Sequence, residues 1–128
     1  GNPVSCAIGL SVLEIIEDEG LQAHAHLIGT ELKAALLSLG NRFEFVGDVR
    51  GRGMFLGIEL VTDRTSLEPD AKRASQVVEK MCKRGFLLST DGPDHNVLKF
   101  KPPLVFSESN ADQLVSGLER VLVEVGGR

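Results

Sequence analysis

Two lysines near the end of the chain have the spacing that most directly suggests chemistry. In the segment 97–101, apolar and basic residues alternate, which is typical of a strand with two different faces. This alternation places Lys99 and Lys101 together on one face, where two ammonium groups could hold a carboxylate or a phosphate. The alternative is an edge strand whose lysines prevent mispairing. From the residues alone we favour the edge strand.

The histidines do not assemble into a recognisable site. His24 and His26 are two positions apart, so a helix would place them on different faces, and no metal site is predicted. His95 lies alone in a polar turn with Asp91 and Asp94, and polar turns are normally solvated. No Ser/His/Asp or Cys/His arrangement can be built, so the pattern predicts no catalytic residue.

Two other motifs are also rejected as reactive sites. The segment Gly51–Gly53 resembles the start of a dinucleotide fingerprint, but the third glycine, Gly57, comes one position late and a strand follows where a helix is required. Cys6 and Cys82 are the only cysteines, and both lie in stretches that indicate helices. We expect two buried thiols rather than a disulfide or a metal site.

Length and composition limit the possible partners. A chain of 128 residues has room for one domain, and 42% hydrophobic with 25% charged residues is typical of globular proteins. The net charge of -4, without a basic block, argues against binding to nucleic acid. The longest uncharged run, Gly1–Leu13, is shorter than the roughly 18 apolar residues that span a membrane. We therefore expect neither partner.

Hydrophobic periodicity predicts the elements that must position these side chains. Helices are expected at 3–16, 21–40, 70–84 and from Ser109 onward, where Asp112 suggests a capping box. Strands are expected at 43–50, 54–61, 86–89 and 97–101, with the first two joined by a turn at Arg50–Gly53. The predicted fold class is α+β, a small antiparallel sheet with helices on one face, preceded by a long apolar helix.

The first helix differs from the others because it is apolar nearly all round, with Glu14 as its only charge. Such a helix must be covered on every side. We expect that the protein extends upstream of Gly1 and that the helix packs into that part. A central helix within a small domain fits the sequence equally well.

Three segments together resemble the class III pyridoxal-phosphate-dependent aminotransferases. The segment Gly1–Ala7 is similar to the point where the family's chain leaves its large domain, and Val49–Leu60 to the hairpin of its small C-terminal domain. Leu98–Leu104 is similar to the strand and double proline near its end. Residues 88–93 and 96–103 resemble the alanine–glyoxylate aminotransferase-like branch of phospho-lyases most closely. These enzymes eliminate phosphate from phosphoethanolamine or phosphohydroxylysine.

The resemblance implies an organisation and a cofactor. Residues 1–20 would be an interdomain helix and 21–128 the small C-terminal α+β domain of a fold type I enzyme. The full-length homodimer would use pyridoxal 5'-phosphate, whereas none is expected to be bound by this fragment. The family's Schiff-base lysine would lie upstream of Gly1, so the chain would be inactive alone. Gly1 and Asn2 would be the remnant of a loop near the neighbouring subunit's cofactor phosphate.

The resemblance also assigns a substrate-binding role to Lys99. Many family transaminases carry Arg at this position, and Lys lacks the two-pronged geometry with which Arg holds a carboxylate. Lys99 therefore fits a phosphorylated amine without an α-carboxylate, whereas Lys101 stays with the edge-strand interpretation. The alternatives are an alanine–glyoxylate or ω-amino-acid aminotransferase, and a non-enzymatic interaction domain. We expect an intracellular protein, mitochondrial or cytoplasmic, with the compartment left open.

Overall fold

The computed structural model describes residues 1–126 and forms one four-stranded sheet with four helices. In chain order the elements are α1 (Pro3–Asp18), α2 (Leu21–Gly40), β1 (Val46–Arg52), β2 (Phe55–Leu60), α3 (Ala71–Lys83), β3 (Ser89–Asp91), β4 (Val97–Phe100) and α4 (Glu108–Gly126). The strand order is β1-β2-β4-β3, and every neighbouring pair is antiparallel. The predicted α+β class with a small antiparallel sheet is confirmed.

One face of the sheet forms the core with the helices. Leu56, Ile58 and Leu60 alternate along β2 and are buried, and β4 adds Leu98 and Phe100 on the same side. Helices α2 and α3 pack on this face, and α4 packs against both helices. The helical contribution comes from apolar stripes at helical spacing: Ile28, Leu32, Leu36, Leu39, Ala74, Val77, Met81, Leu114, Leu118, Val121 and Leu122.

Helix α1 lies outside this core. Pro3 occupies its first turn, and the helix has no buried residue. Val4, Ile8 and Leu13 expose 66%, 60% and 64% of their surface. Among the elements of residues 1–126, α1 packs only against α2. The interpretation of α1 as the central helix of a small domain is therefore wrong, because the described part of the chain does not surround it.

The hairpin between β1 and β2 is tighter than the sequence indicates. Gly51 and Arg52 were expected in the turn, but they pair with Leu56 and Phe55 within the ladder. Gly51 has φ +129°, and a Cβ atom there would lie 2.1 Å from the carbonyl oxygen of Phe55. Only glycine allows this approach, so the strand continues to Arg52. The predicted start of β1 at residue 43 is also too early, because residues 44 and 45 form a turn.

The predicted strand at 86–89 lies too early in the sequence, since β3 runs from Ser89 to Asp91. The strand begins later because the hydrogen bonding that ends α3 extends to residue 86. Gly85 adopts φ +87°, and the N–H of Phe86 still donates to the carbonyl oxygen of Met81 at 3.0 Å. This hydrogen bond closes the helix and keeps Phe86 from pairing in the sheet.

The expected capping box at the start of α4 is displaced by two residues. Ser107 and Asn110 form it instead of Ser109 and Asp112: the N–H of Asn110 donates to Ser107 Oγ, and the N–H of Ser107 donates to Asn110 Oδ1, both at 3.2 Å. The spacing of three positions is the one expected, but it begins earlier. The helix therefore begins at Glu108.

Candidate functional site

The face of the sheet opposite the helices carries the polar residues, and we call it the open face. Its members are Asp48, Arg50, Arg52, Phe55, Gly57, Glu59, Ser89, Asp91, Val97 and Lys99. The register aligns Arg50, Gly57 and Lys99 in one row across β1, β2 and β4. Because glycine has no side chain, the row has a gap between its two cations. A depression of about 250 Å³ lies here.

Lys99 is held at the side of this depression by an ion pair. Its Nζ lies 3.0 Å from Asp91 Oδ2, and its side chain is 34% exposed. The other oxygen of Asp91, Oδ1, accepts the N–H of Gly92 at 2.9 Å. The hydrogen bond from Lys99, followed by that from Gly92, lowers the pKa of the Asp91 carboxyl, and nearby His95 contributes in the same direction. Asp91 is therefore a charged and oriented partner for Lys99.

Arg50, on the other side of Gly57, is already bound by two carboxylates. Its Nη1 lies 2.8 Å from Asp48 Oδ2 and 2.5 Å from Glu59 Oε2. Hydrogen bonds to Asp48 and Glu59 raise the pKa of the guanidinium. Two cations, Arg50 and Lys99, thus line the depression beside three carboxylates, whereas Arg52 on the same face does not line it. Lys99, which has a single acidic partner among the described residues, is the cation better placed to receive an anion.

Sequence analysis missed Arg50, Asp48, Glu59 and the role of Asp91. A usable signal was present for Arg50 and Glu59, because alternation in the predicted hairpin places both on the polar face. The pairing of Asp91 with Lys99 gave no comparable signal, because it depends on the exact register of β3 against β4.

Lys101 does not lie beside Lys99 in this depression. Strand β4 ends at Phe100, and Lys101 lines a separate groove with Phe86, Pro102 and other residues. The hypothesis of two adjacent ammonium groups on one face is therefore wrong, because the alternation stops where the strand ends before the double proline. The favoured edge-strand interpretation is also wrong, because β4 lies between β2 and β3.

Gly1 and Asn2 lie at the start of α1, and both are exposed. Asn2 is the N-cap of the helix: its Oδ1 accepts the N–H of Val4 at 2.9 Å. Pro3 has no N–H and the N–H of Val4 is bound by Asn2, so the first two positions of α1 leave no backbone donor for a phosphate.

The remaining candidates have structural or solvent-exposed positions. His24 Nε2 lies 2.9 Å from the carbonyl oxygen of Phe106, and His26 is exposed. Cys6 and Cys82 are exposed, so the expectation of buried thiols is wrong. Cys82 points away from the core because it follows buried Met81 on α3, and Cys6 lies on uncovered α1. Residues 1–126 contain no metal-binding group of three or more His, Cys, Asp or Glu, and no helix there has the length and apolarity of a membrane span.

Comparison with known proteins identifies the family. The Aminotransferase class-III family model matches residues 1–122. The chain is 48% identical over 126 residues to alanine–glyoxylate aminotransferase 2-like of Drosophila melanogaster, covering 98% of this chain and 26% of that protein. It is 46% identical over 123 residues to ethanolamine-phosphate phospho-lyase homolog 1 of Caenorhabditis elegans, covering 95% and 26%. It thus spans about a quarter of the length of these relatives.

A solved structure shows the same architecture. A phospholyase from Arthrobacter in complex with phosphoethanolamine matches with a TM-score of 0.90 and 42% identity, over 95% of this chain and 29% of that one. An aminotransferase from Bacillus anthracis matches with the same TM-score and 33% identity, over 96% and 28%. Both names, phospholyase and aminotransferase, occur among proteins of this pyridoxal-phosphate-dependent group. The chain belongs to the class III aminotransferase family.

Proposed function

We propose that the whole protein carrying this chain is a pyridoxal-phosphate-dependent phospho-lyase that acts on phosphoethanolamine or phosphohydroxylysine. The observation that carries this proposal is Lys99, a point-charge cation beside the depression of the open face. The family resemblance implies Arg at this position in many transaminases. Similarity to a phospholyase whose structure contains phosphoethanolamine supports the same substrate class.

The overall reaction sets the requirement on the site. Loss of phosphate from phosphoethanolamine, with one water consumed, gives an aldehyde, ammonia and inorganic phosphate. The cofactor supplies an electron sink for the bond changes beside the substrate nitrogen. Lys99 would bind the phosphate through its positive charge and three N–H donors, whereas a planar carboxylate is better matched by Arg.

The proposal divides the work between this chain and the rest of the protein. Residues 1–20 would be the interdomain helix, and 21–128 the small domain. The cofactor lysine would lie outside this chain, so the chain alone would be inactive. Gly1 and Asn2, both exposed, would contact the cofactor phosphate of the neighbouring subunit in a homodimer.

A second candidate function is transamination. It is favoured by 41% identity over 119 residues to alanine–glyoxylate aminotransferase 2 homolog 2 of Arabidopsis thaliana, in addition to the Drosophila relative. A third candidate, a non-enzymatic interaction domain, is favoured only by the exposed apolar surface of α1.

Assays of the full-length protein distinguish these candidates. We expect phosphate release from phosphoethanolamine or phosphohydroxylysine, and little alanine-dependent conversion of glyoxylate. Lys99→Met should raise KM for the phosphorylated amine at least tenfold, because a charge-assisted contact is lost. Lys101→Met is the matched control and should leave KM unchanged. Transamination without phosphate release would reject the phospho-lyase assignment, and neither activity would favour the interaction domain.

A further inference from the structure

We propose that Asp91 is a positioning residue that holds the Lys99 ammonium at the side of the depression, where the anionic group of the substrate meets a pre-oriented cation. This inference rests on the proposed function and concerns the same site. It assigns a role to the turn between β3 and β4, which sequence analysis had treated as an ordinary solvated loop.

The first step is that Asp91 is itself fixed. Asp91 is the last residue of β3 and pairs with Val97. Lys99 lies two residues further along β4, so Asp91 and Lys99 are diagonal neighbours on the open face. Its Oδ1 accepts the N–H of Gly92 at 2.9 Å, while its Oδ2 accepts from Lys99 Nζ at 3.0 Å. Because one oxygen is bound to the backbone, the other presents a defined position to the lysine. A diagonal contact of this kind is within reach of a long side chain.

The second step is the space on the other side of Lys99. Gly57 is its neighbour on β2, and a Cβ atom there would lie 3.1 Å from Val97 Cγ1. The absence of a side chain therefore keeps the depression open beside the lysine. An ammonium has three N–H donors, and Asp91 is its one acceptor among the described residues. The remaining donors are available to an anion in the depression.

The third step is to weigh two opposing effects of Asp91. Its negative charge repels a phosphate, but its side chain is 55% exposed on an edge strand, where water and salt weaken such repulsion. A free lysine side chain, in contrast, loses much rotamer freedom when it binds a ligand. The ion pair imposes this restriction before the substrate arrives. We therefore expect Asp91 to strengthen substrate binding.

Steady-state kinetics of the full-length protein test this role. Asp91→Asn should raise KM for phosphoethanolamine about fivefold, the upper effect of an exposed ion pair, and change kcat less than about twofold. Asp91→Glu should have a KM close to that of the wild type, because the charge is kept. Asp94→Asn, in the same turn, is the matched control and should have no effect. An unchanged or lowered KM in Asp91→Asn would overturn the proposal.

A second measurement separates this inference from the proposed function. NMR titration of the Asp91 carboxyl in the full-length protein requires no enzymatic activity. Lys99→Met should raise the pKa of Asp91 towards its ordinary value, whereas Lys101→Met should leave it unchanged; nearby His95 is present in both variants. Equal Asp91 pKa values in the two variants would overturn the positioning role. A wild-type protein that releases no phosphate would instead reject the phospho-lyase assignment.

Discussion

The two faces of the sheet use the same strands for different purposes. In β4, Leu98 is fully buried against the helices, while the next residue, Lys99, has a side chain that is 34% exposed on the open face. In β2, buried Leu56 and Ile58 flank Gly57, which forms the gap beside Lys99. A step of one residue thus separates the packing that stabilises the fold from the side chains that could bind a substrate. The open face can change its chemistry without changing the core.

The largest loss of stability is expected for substitutions on the covered face, the side of the sheet that packs against the helices. Leu98→Ala should lower the free energy of unfolding by about 2–5 kcal/mol, because it leaves a cavity among fully buried neighbours. Val97→Ala, one position away on the open face, is the matched control and should cost less than about 1 kcal/mol. Urea denaturation measures both. Equal losses would contradict the division of the strand into two faces.

The next largest loss of stability is expected in the β1–β2 hairpin, which contains Arg50. Gly51→Ala should lower the free energy of unfolding by about 1–3 kcal/mol, because the residue has φ +129° and a Cβ atom would clash with the backbone of Phe55. Gly9→Ala is the control: it lies in α1 with no atom within 4 Å of the added Cβ. It should be neutral or stabilising, since alanine favours helices. Urea denaturation measures both variants. An unchanged free energy of unfolding in Gly51→Ala would show that the hairpin can rearrange.

The covered face was largely predictable from sequence, because its elements depend on repeated apolar spacing. The stripe of α2, the alternation of β2 and the start of α3 near residue 70 were predicted correctly. The cap formed by Asp70, which accepts the Arg73 N–H at 2.9 Å, was not predicted. The open face was predicted only at Lys99. Its ion pairs depend on register between strands, and the position of β3 depends on how α3 ends. Neither property is contained in the local pattern of one segment.

A smaller effect is expected when the pairing on the β1 side of the open face is weakened. Glu59→Gln removes one of the two carboxylates that bind Arg50, and both side chains are partly exposed at 32% and 51%. The free energy of unfolding should fall by less than about 1 kcal/mol, because Asp48 still pairs with the guanidinium. Chemical denaturation at low and high salt measures this. A loss comparable to that of Leu98→Ala would mean that the open face also carries the fold.

The smallest expected effect is the pH dependence of the pair at the other end of the open face. Hydrogen bonds from Lys99 and Gly92 lower the pKa of the folded Asp91 carboxyl. Stability from this group is therefore present above its unfolded pKa of about 4 and is lost as the pH falls through the lower folded value. Asp91→Asn removes the titration, so the urea midpoints of wild type and variant should differ most near neutral pH and converge in acid. The matched change Asp94→Asn should give no such convergence. If the difference between wild type and Asp91→Asn stayed constant into strong acid, the ion pair would not contribute, and the open face would be held by its backbone register alone.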